Sequence, residues 1–568
     1  MPIILFSIDK ALILWYSLVM FVRVKDTPNS PRKSVQIVHS YRVGDTVKQK
    51  IVRYVGIAHD DYDLEKLKLL AESVKVKLEA DAQEMLFSPE EIAKINIEAK
   101  TYSEDDYKVN IKDLTEEART VSGIHDAYGS LFDELSYDKV ISNPARNVSA
   151  ASVFKDIVLA RIANPASKRA SVDLLEEDFG ISLDLDSVYR MMDKLDDKTI
   201  GKLKDITYQN TATLFKNKIS VIFFDATTIY FESFDPDELK SCGYSKDNKF
   251  GQPQVLLALM VTEDGLPIGY ELFEGNKYEG HTLIPVLSKI KQKYDIDKVI
   301  FVADSAMMAN YNTSFLDENN FAYIVGARLK STPKDLKDKI LDNSSYESLG
   351  DISVASFEYN SKRLIVSYSK KRAAKDAHDR EAAILSIQKR LAKSKNPKDY
   401  LSSYGYKKYI KLNTAATLAL DEDKIKADSA WDGLLGVITN DKDLSCSEVL
   451  SHYHNLYQVE DAFRVTKHDL AVRPVFHWKP ERIKAHIAIC FCAYALIKHM
   501  QYRVRLLYQK MSPEKIRHIL VKVQTSILYD KKKKIRYGLP SRMSADARKI
   551  YEVLRIKRNL TPYIIKKL

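Results

Sequence analysis

Apolar and polar positions alternate with period two from residue 21 to 57: Phe21-Val-Arg-Val-Lys25, Val35-Gln-Ile-Val38 and the run Val47 to Val55, with a turn at Gly44-Asp45. Alternation of this kind predicts strands, so a small β-hairpin module is expected over 20–60. The next stretch, 61–215, changes period. Val153, Ile157, Val158 and Ile162 fall on one helical face and end at Asn164-Pro165, and Val188, Met191, Met192 and Leu195 repeat the pattern. A helical region is expected there, opening on an acidic spacer.

From 216 the pattern changes again. Val221-Ile-Phe-Phe-Asp225 is a continuous apolar run closed by a carboxylate, as a buried strand would be. Gln254–Thr262 and Leu266–Glu274 read as two strands joined by a tight turn at Glu263-Asp264-Gly265. His281–Tyr294 has helical spacing, Val299-Ile-Phe-Val-Ala-Asp304 is a second apolar strand ending in a carboxylate, and Phe321–Ala327 is a fifth strand. Three leading strands in a meander, followed by strands separated by helices, predict an α/β domain with a mixed sheet. Residues 331–430 interrupt it with strands near 354–359 and 364–368 and a charged helix from about 370 to 395, closed at Asn396-Pro397. The pattern then resumes with a strand at Leu434–Thr439, a long helix over Ser447–Lys467 and another over Ile483–His499. The tail, 501–568, reads as helical and basic, with Lys531 to Lys534 as a loop.

Composition narrows the class. The chain has 568 residues, 45% hydrophobic and 29% charged, which is ordinary for a globular protein and excludes global disorder or a polytopic membrane protein. Its four cysteines, Cys242, Cys446, Cys490 and Cys492, form no CxxC pair. That implies a reduced, cytoplasmic compartment and no structural zinc. The apolar run Ala11–Val22 is too short to span a bilayer and lacks a basic flank. Residues 1–19 are therefore read either as an overrun before a true start at Met20 or as a short buried helix.

Charge is unevenly spread. The net charge is +11, yet Lys467–Leu568 holds 25 Lys and Arg against 6 Asp and Glu, so the rest of the chain is net negative. A polyanion is the expected partner, nucleic acid before a membrane surface, although a solvated basic tail gives the same composition.

Three carboxylates then draw attention. Asp225 and Asp304 each end a buried strand, where α/β folds place function. If the strands are neighbours the two acids converge, and converging acids need a cation between them. Oxygen donors select Mg²⁺ or Mn²⁺. Taken singly, each aspartate could equally just end its strand. Tyr453, Leu456, Glu460, Arg464 and Lys467 follow at helical spacing along one stripe. Such a stripe offers a metal ligand at Glu460 and cations for phosphate at Arg464 and Lys467, or else an exposed i,i+4 ion pair.

Together, Val-Ile-Phe-Phe-Asp225-Ala-Thr-Thr, Phe-Val-Ala-Asp304-Ser-Ala-Met and Tyr453-x2-Leu456-x3-Glu460-x6-Lys467 resemble the DDE transposases of bacterial insertion sequences, in the superfamily with a Y-x2-R-x3-E-x6-K signature. Tyr, Glu and Lys match at the family spacing. Leu456 stands where the family has arginine, and Arg464 is the candidate substitute. The resemblance covers about residues 21–500.

The resemblance implies a ribonuclease H-like core in two parts, 216–330 and 431–500, split by a β-rich insertion domain at 331–430. It implies DNA-end binding for 61–215, and leaves 501–568 as a basic helical C-terminal region. It further implies Asp225, Asp304 and Glu460 as catalytic residues holding two Mg²⁺ (or Mn²⁺) ions, with Tyr453, Arg464 and Lys467 on DNA phosphates. The reaction would be metal-dependent hydrolysis at element ends, then strand transfer by a 3′-hydroxyl. The partners would be double-stranded DNA, as terminal inverted repeats and target, and a second copy on paired ends, with no membrane. Trp431 reads first as a core tryptophan at a strand start and second as a stacking platform for a flipped base. Lys370-Lys-Arg372 reads as a solvated charge run or a DNA contact. The alternatives are a nuclease of the same fold without strand transfer, and an inactive DNA-binding descendant.

Overall fold

The structure is a computed structural model. It describes residues 20–26, 33–43, 46–58, 64–65, 67–72, 74–75, 104–141, 148–216, 219–231, 235–243, 252–293, 299–305, 310–393, 407–412, 418–473 and 475–567. The expected segment 1–19, the turn at Gly44-Asp45 and the helix stop at Asn396-Pro397 lie outside these residues. The chain divides into two compact units.

The first unit comprises 1–118, 526–540 and 561–568. It holds a three-stranded antiparallel sheet of β1 (Met20–Asp26), β2 (Lys33–Val43) and β3 (Thr46–Ala58), in that order. The alternating run builds it as expected: Val35 and Ile37 are fully buried, while Lys48, Lys50 and Arg53 are exposed. A four-stranded sheet contains β4 (Leu114–Val121), with β16 (Gln524–Asp530), β17 (Ile535–Pro540) and β18 (Tyr563–Lys567) from the tail. This corrects two expectations: the 61–215 region is not wholly helical, and the C-terminal region is not all helix. Gln-Thr-Ser-Ile-Leu-Tyr-Asp530 and Ile535-Arg-Tyr-Gly-Leu539 carry β-branched and aromatic residues on a period of two, and the four lysines between them form the connecting turn.

The second unit, 119–525 and 541–560, is built around a nine-stranded sheet. Its strands are β5 (Val221–Tyr230), β6 (Gln254–Thr262), β7 (Pro267–Glu274), β8 (Ile300–Ala303), β9 (Ala322–Ala327), β10 (Glu347–Leu349), β11 (Ile352–Tyr359), β12 (Lys362–Ser369) and β15 (Leu434–Thr439). A separate pair joins β13 (Ile410–Leu412) to β14 (Leu418–Leu420). The order across the large sheet is β10-β11-β12-β15-β9-β8-β5-β6-β7. Within it, β5, β6 and β7 form an antiparallel meander, and β8 and β9 add parallel to β5 on its other side. That is the strand order and direction of a ribonuclease H-like core. Three of the strands of 331–430, β10 to β12, do not stand apart: β12 pairs with β15, which pairs with β9, so they lengthen the same sheet.

The helices of this unit, in chain order, are α1 (Val148–Ala163), α2 (Lys168–Phe179), α3 (Leu185–Met192), α4 (Asp197–Leu214), α5 (Leu283–Lys293), α6 (Asn310–Glu318), α7 (Lys334–Leu341), α8 (Lys370–Lys393), α9 (Glu422–Ser429), α10 (Cys446–His454), α11 (Tyr457–Arg464), α12 (Pro480–Leu507), α13 (Pro513–Val521) and α14 (Ala545–Val553). Alternation along the strands splits the apolar residues between two faces. Phe223, Leu257 and Val302 join a core with α1, α10, α11 and α12. Phe224, Ala258 and Phe301 join a second core with α5, α6 and α7. The unit is therefore a three-layer sandwich. Helix α12 is apolar and long enough to cross a membrane, but 94% of its apolar window is buried inside the protein, where it forms a core helix.

The expected single helix over 447–467 is two. A capping box starts α10: the Glu448 backbone N–H donates to Ser445 Oγ, and the Ser445 N–H donates to the Glu448 carboxylate. At Asn455-Leu456 the backbone bonds tighten from four residues to three, with Leu456 N–H to Tyr453 O and Val459 N–H to Leu456 O. Helix α11 then runs to Arg464 and ends in a π turn over Val465–Asp469.

Candidate active site

Strands β5 and β8 run side by side with Phe223 opposite Val302. The ladder ends there; carried on two residues it would bring Asp225 level with Asp304, the first residue past the end of β8. Period two puts Asp225 on the face of Phe223, the face covered by α10 and α11. Both aspartates are half-buried, and an Asp225 carboxylate oxygen accepts the Ala226 N–H at 2.7 Å. Asp225 is held within β5, and Asp304 directly follows the last residue of β8.

Tyr453, near the end of α10, reaches over the neighbouring strand. Its hydroxyl lies so close to Gly326 that a Cβ there would sit 2.4 Å from it and 3.2 Å from the Ser305 backbone nitrogen, next to Asp304. Glycine at 326 is what lets the phenol in. Burial pushes the Tyr453 phenol up. The charges of Asp304 and Glu460 add to this, and Arg372 opposes them. Tyr453 is thus within electrostatic reach of two of the three carboxylates and of a cation from α8.

Glu460 lies in the first turn of α11 and is exposed, while Val459, Ala462 and Phe463 bury the other side of the helix against the sheet. The next residue, Asp461, is bound to Lys498 Nζ of α12 at 2.9 Å, and Lys498 is only 4% exposed. Burial alone would raise Asp461. Lys498, with Arg464 in support, outweighs it and holds the carboxyl below the usual range. Burial dominates for Lys498, so its amine is lowered despite the pairing. At the α10–α11 junction, Asn455 donates to Glu263 Oε1 at 3.1 Å and His452 Nδ1 lies 3.1 Å from the same oxygen. Tyr494 of α12 donates to the Gly265 carbonyl at 2.8 Å. The β6–β7 turn therefore ties down both helices that carry the site.

Not every expected residue points where the sequence stripe placed it. Arg464 is turned toward Asp461 (2.9 Å) and Asp469 (3.4 Å) and makes no ion pair with Glu460. Lys467 falls in the π turn and is half-buried. Leu456 is buried in the core, so nothing at that position can reach a phosphate. Trp431 is half-buried. It packs on the second core, and it lines a cleft of about 350 Å³ with Arg328, Lys330 and Arg372. These three cations come from two separate segments, and no spacing in the sequence links them. The charge run 370–372 was the single available signal.

The donor set suits a hard divalent cation, because all three groups are carboxylates. Among the described residues, no three of His, Cys, Asp or Glu are gathered tightly enough to hold an ion on their own. Like charges keep apart without a cation between them. The fit rests on donor chemistry and on the register of Asp225 and Asp304, with Glu460 carried by a helix packed over the same strands.

Comparison with known proteins gives the family. A family model described as the transposase DDE domain matches residues 216–496, and one for the IS1634 family transposase N-terminal domain matches residues 22–84. No curated protein sequence matches. Among solved structures, a Mos1 transposase paired-end complex with left transposon end is similar at 15% identity, covering 44% of this chain and 71% of that one, with a TM-score of 0.14. The two family segments together span more than half of the sequence, and the chain belongs to the DDE transposases of insertion sequences, enzymes that act on DNA.

Proposed function

We propose that this transposase cuts the ends of its element and joins them to a target by two-metal phosphodiester chemistry at Asp225, Asp304 and Glu460. The observation that supports the reading is the parallel pairing of β5 with β8, because Asp225 and Asp304 each follow the last paired residues, Phe223 and Val302, by two positions. Mg²⁺ or Mn²⁺, when bound there, would supply Lewis-acid activation of the attacking oxygen and stabilisation of the leaving one. The protein's own groups do the positioning. Tyr453, whose hydroxyl packs against Gly326 and which feels the charges of Asp304 and Glu460, would orient a phosphate. Lys467 and the half-exposed Arg464 lie further along the same chain segment, and Arg464 must exchange an acidic partner to meet DNA. Arg372, Arg328 and Lys330 around Trp431 would take a phosphate and a base in the adjoining cleft. Two ends cut in concert call for two copies of the chain, so a dimer on paired ends is part of the proposal.

The test is cleavage of a duplex carrying the element's terminal repeat, in Mg²⁺ or in EDTA, by wild type and by Glu460→Gln. Metal-dependent cutting at the repeat end should be lost in the variant while DNA binding persists. Cutting that survives Glu460→Gln would remove the third carboxylate from the site. End binding without cutting in either metal would leave a DNA-binding protein only.

A further inference from the structure

The segment that follows the catalytic helix, Arg473 to Lys479, exposes two large aromatic side chains. Phe476 is 61% exposed and Trp478 is 76% exposed. Between them His477 turns inward. Its ring lies 5.4 Å from that of His486 and meets Tyr189 edge-on at 6.4 Å. The segment is pinned at both ends. Val475 forms a parallel bridge with Phe231, just past the end of β5, and the Trp478 carbonyl accepts a hydrogen bond from Lys240 Nζ at 3.3 Å. Lys479 leaves it with extended dihedrals into the proline-capped start of α12. The two rings are therefore held out on a fixed support, which limits the entropy lost when something binds them.

The spacing indicates the ligand. Burial alternates along the segment, with Val475 and His477 turned in and Phe476 and Trp478 out, so the two rings share a side; extended backbone would set them about 6.6 Å apart along the chain. Two rings so separated leave room for one flat, stacked ring between them. Their distance from the carboxylates points the same way. Phe231 lies six residues beyond Asp225 along β5, or about 20 Å. Arg473 sits beside the pair, over the Tyr230 ring at 5.4 Å.

We infer that Phe476 and Trp478 clamp a single unpaired DNA base, holding a single-stranded stretch about 20 Å from the cleaved phosphate. This deepens the proposed function, since it rests on DNA being opened at the site. Base–aromatic stacking contributes about 1–3 kcal/mol per base and tolerates any sequence.

The experiment compares the affinity of the full-length protein for a short oligothymidylate and for a fully paired duplex. Wild type, Phe476→Ala, Trp478→Ala and Trp478→Phe are measured. Each alanine variant should bind the oligothymidylate about tenfold more weakly, with a smaller effect on the duplex, and Trp478→Phe should recover most of the loss. A second measurement does not depend on the alanine variants folding. With Trp15→Phe and Trp431→Phe, Trp478 is the only tryptophan, and the oligothymidylate should quench its emission. Equal weakening for both DNAs, unchanged oligothymidylate binding or an unquenched Trp478 would overturn the clamp. So would a shift in oligomeric state on Trp478→Ala, which would place the rings between two copies of the chain. Failure of wild type to cleave duplex would count against the proposed function alone, because the single-strand measurement needs no cleavage.

Discussion

Gly326 shows how much can depend on one missing methyl group. The Tyr453 hydroxyl occupies the space where a Cβ would stand. Gly326→Ala should displace the phenol and slow cleavage by about a hundredfold, the effect of a misplacement near 1 Å at a reacting centre. Gly326→Ala combined with Tyr453→Phe should fall only to the level of Tyr453→Phe alone, because both changes remove the same hydroxyl. Cleavage rates beside melting temperatures would separate this from general destabilisation. Lys168 makes a different point. It is 4% exposed and donates to His486 Nδ1 at 3.2 Å, while His486 Nε2 faces the Val472 carbonyl at 3.2 Å. Burial, with Arg161 adding repulsion, lowers the Lys168 amine to about 7. Below that pH the amine is charged in both the folded and the unfolded chain, and the cost of burying it is fully present, at most about 5 kcal/mol. Between pH 7 and the ordinary lysine range only the unfolded chain keeps the proton, so wild-type stability rises. Lys168→Met also orphans the His486 acceptor, at about 1–3 kcal/mol. The variant should therefore be about 2 kcal/mol more stable than wild type near pH 6 and less stable above pH 10. Denaturant unfolding at both pH values checks the change of sign.

At the scale of elements, helix α11 is held from behind. Asp461 reaches Lys498 on α12, and Arg464 braces Asp461 from the other side. Asp461→Asn would leave a buried lysine unpaired and should destabilise by about 3 kcal/mol. Lys498→Met removes the buried charge itself and should stay within about 1 kcal/mol of wild type, since Asp461 is partly exposed and keeps Arg464. Urea midpoints would rank the two. The strands bearing Asp225 and Asp304 were legible in the sequence because a buried strand is a continuous apolar run, but only β8 stops at its acid; β5 runs on past Asp225 to Tyr230, carried by Ala226 to Ile229, which are buried too. The helix after them was legible in content but not in shape. A stripe at 100° per residue assumes an unbroken helix, and the tightened turn at Asn455-Leu456 and the π turn at Val465 both change the phase. Within α11 itself Glu460 and Arg464 keep their i,i+4 spacing, and Arg464 instead pairs with Asp461, one turn back, and with Asp469 in the π turn. The strands of the tail were hidden behind their charge, since Lys and Arg dominate the composition while the period-two pattern lies underneath. Arg161, 2% exposed, shows a limit of any linear reading. It donates to the Leu470 and Ala471 carbonyls from a helix about three hundred residues upstream, closing the turn where Ala471 takes a left-handed φ of 42°.

For the whole molecule, the uneven charge along the chain becomes pairing in space. Within the second unit, Arg482 meets Asp193, Lys484 meets Asp197, Arg503 meets Glu134, Arg505 meets Asp264 and Arg558 meets Asp126. Within the first unit, Arg536 meets Glu117 and Lys532 meets Asp113. These seven of the tail's 25 cations therefore pair with acids from the first half of the chain. The salt dependence of DNA binding should reflect this. Affinity should fall steeply as salt rises, but with a slope set by fewer phosphates than the tail has cations, about 0.9 per phosphate contacted. Titrations at several salt concentrations give that number directly.

The place of β15 in the sheet has a consequence for synthesis. It lies between β9 and β12, both of which are made before it. A nascent chain that has reached residue 430 thus carries two strand edges waiting for the same missing partner. Glu460 follows Asp225 by 235 residues, which at about 5–20 residues per second is roughly ten to fifty seconds of translation. Once Asp304 is made, the growing polypeptide has two of its acids, and its sheet stays unclosed until β15 follows. Premature termination there should give insoluble fragments rather than stray nucleases.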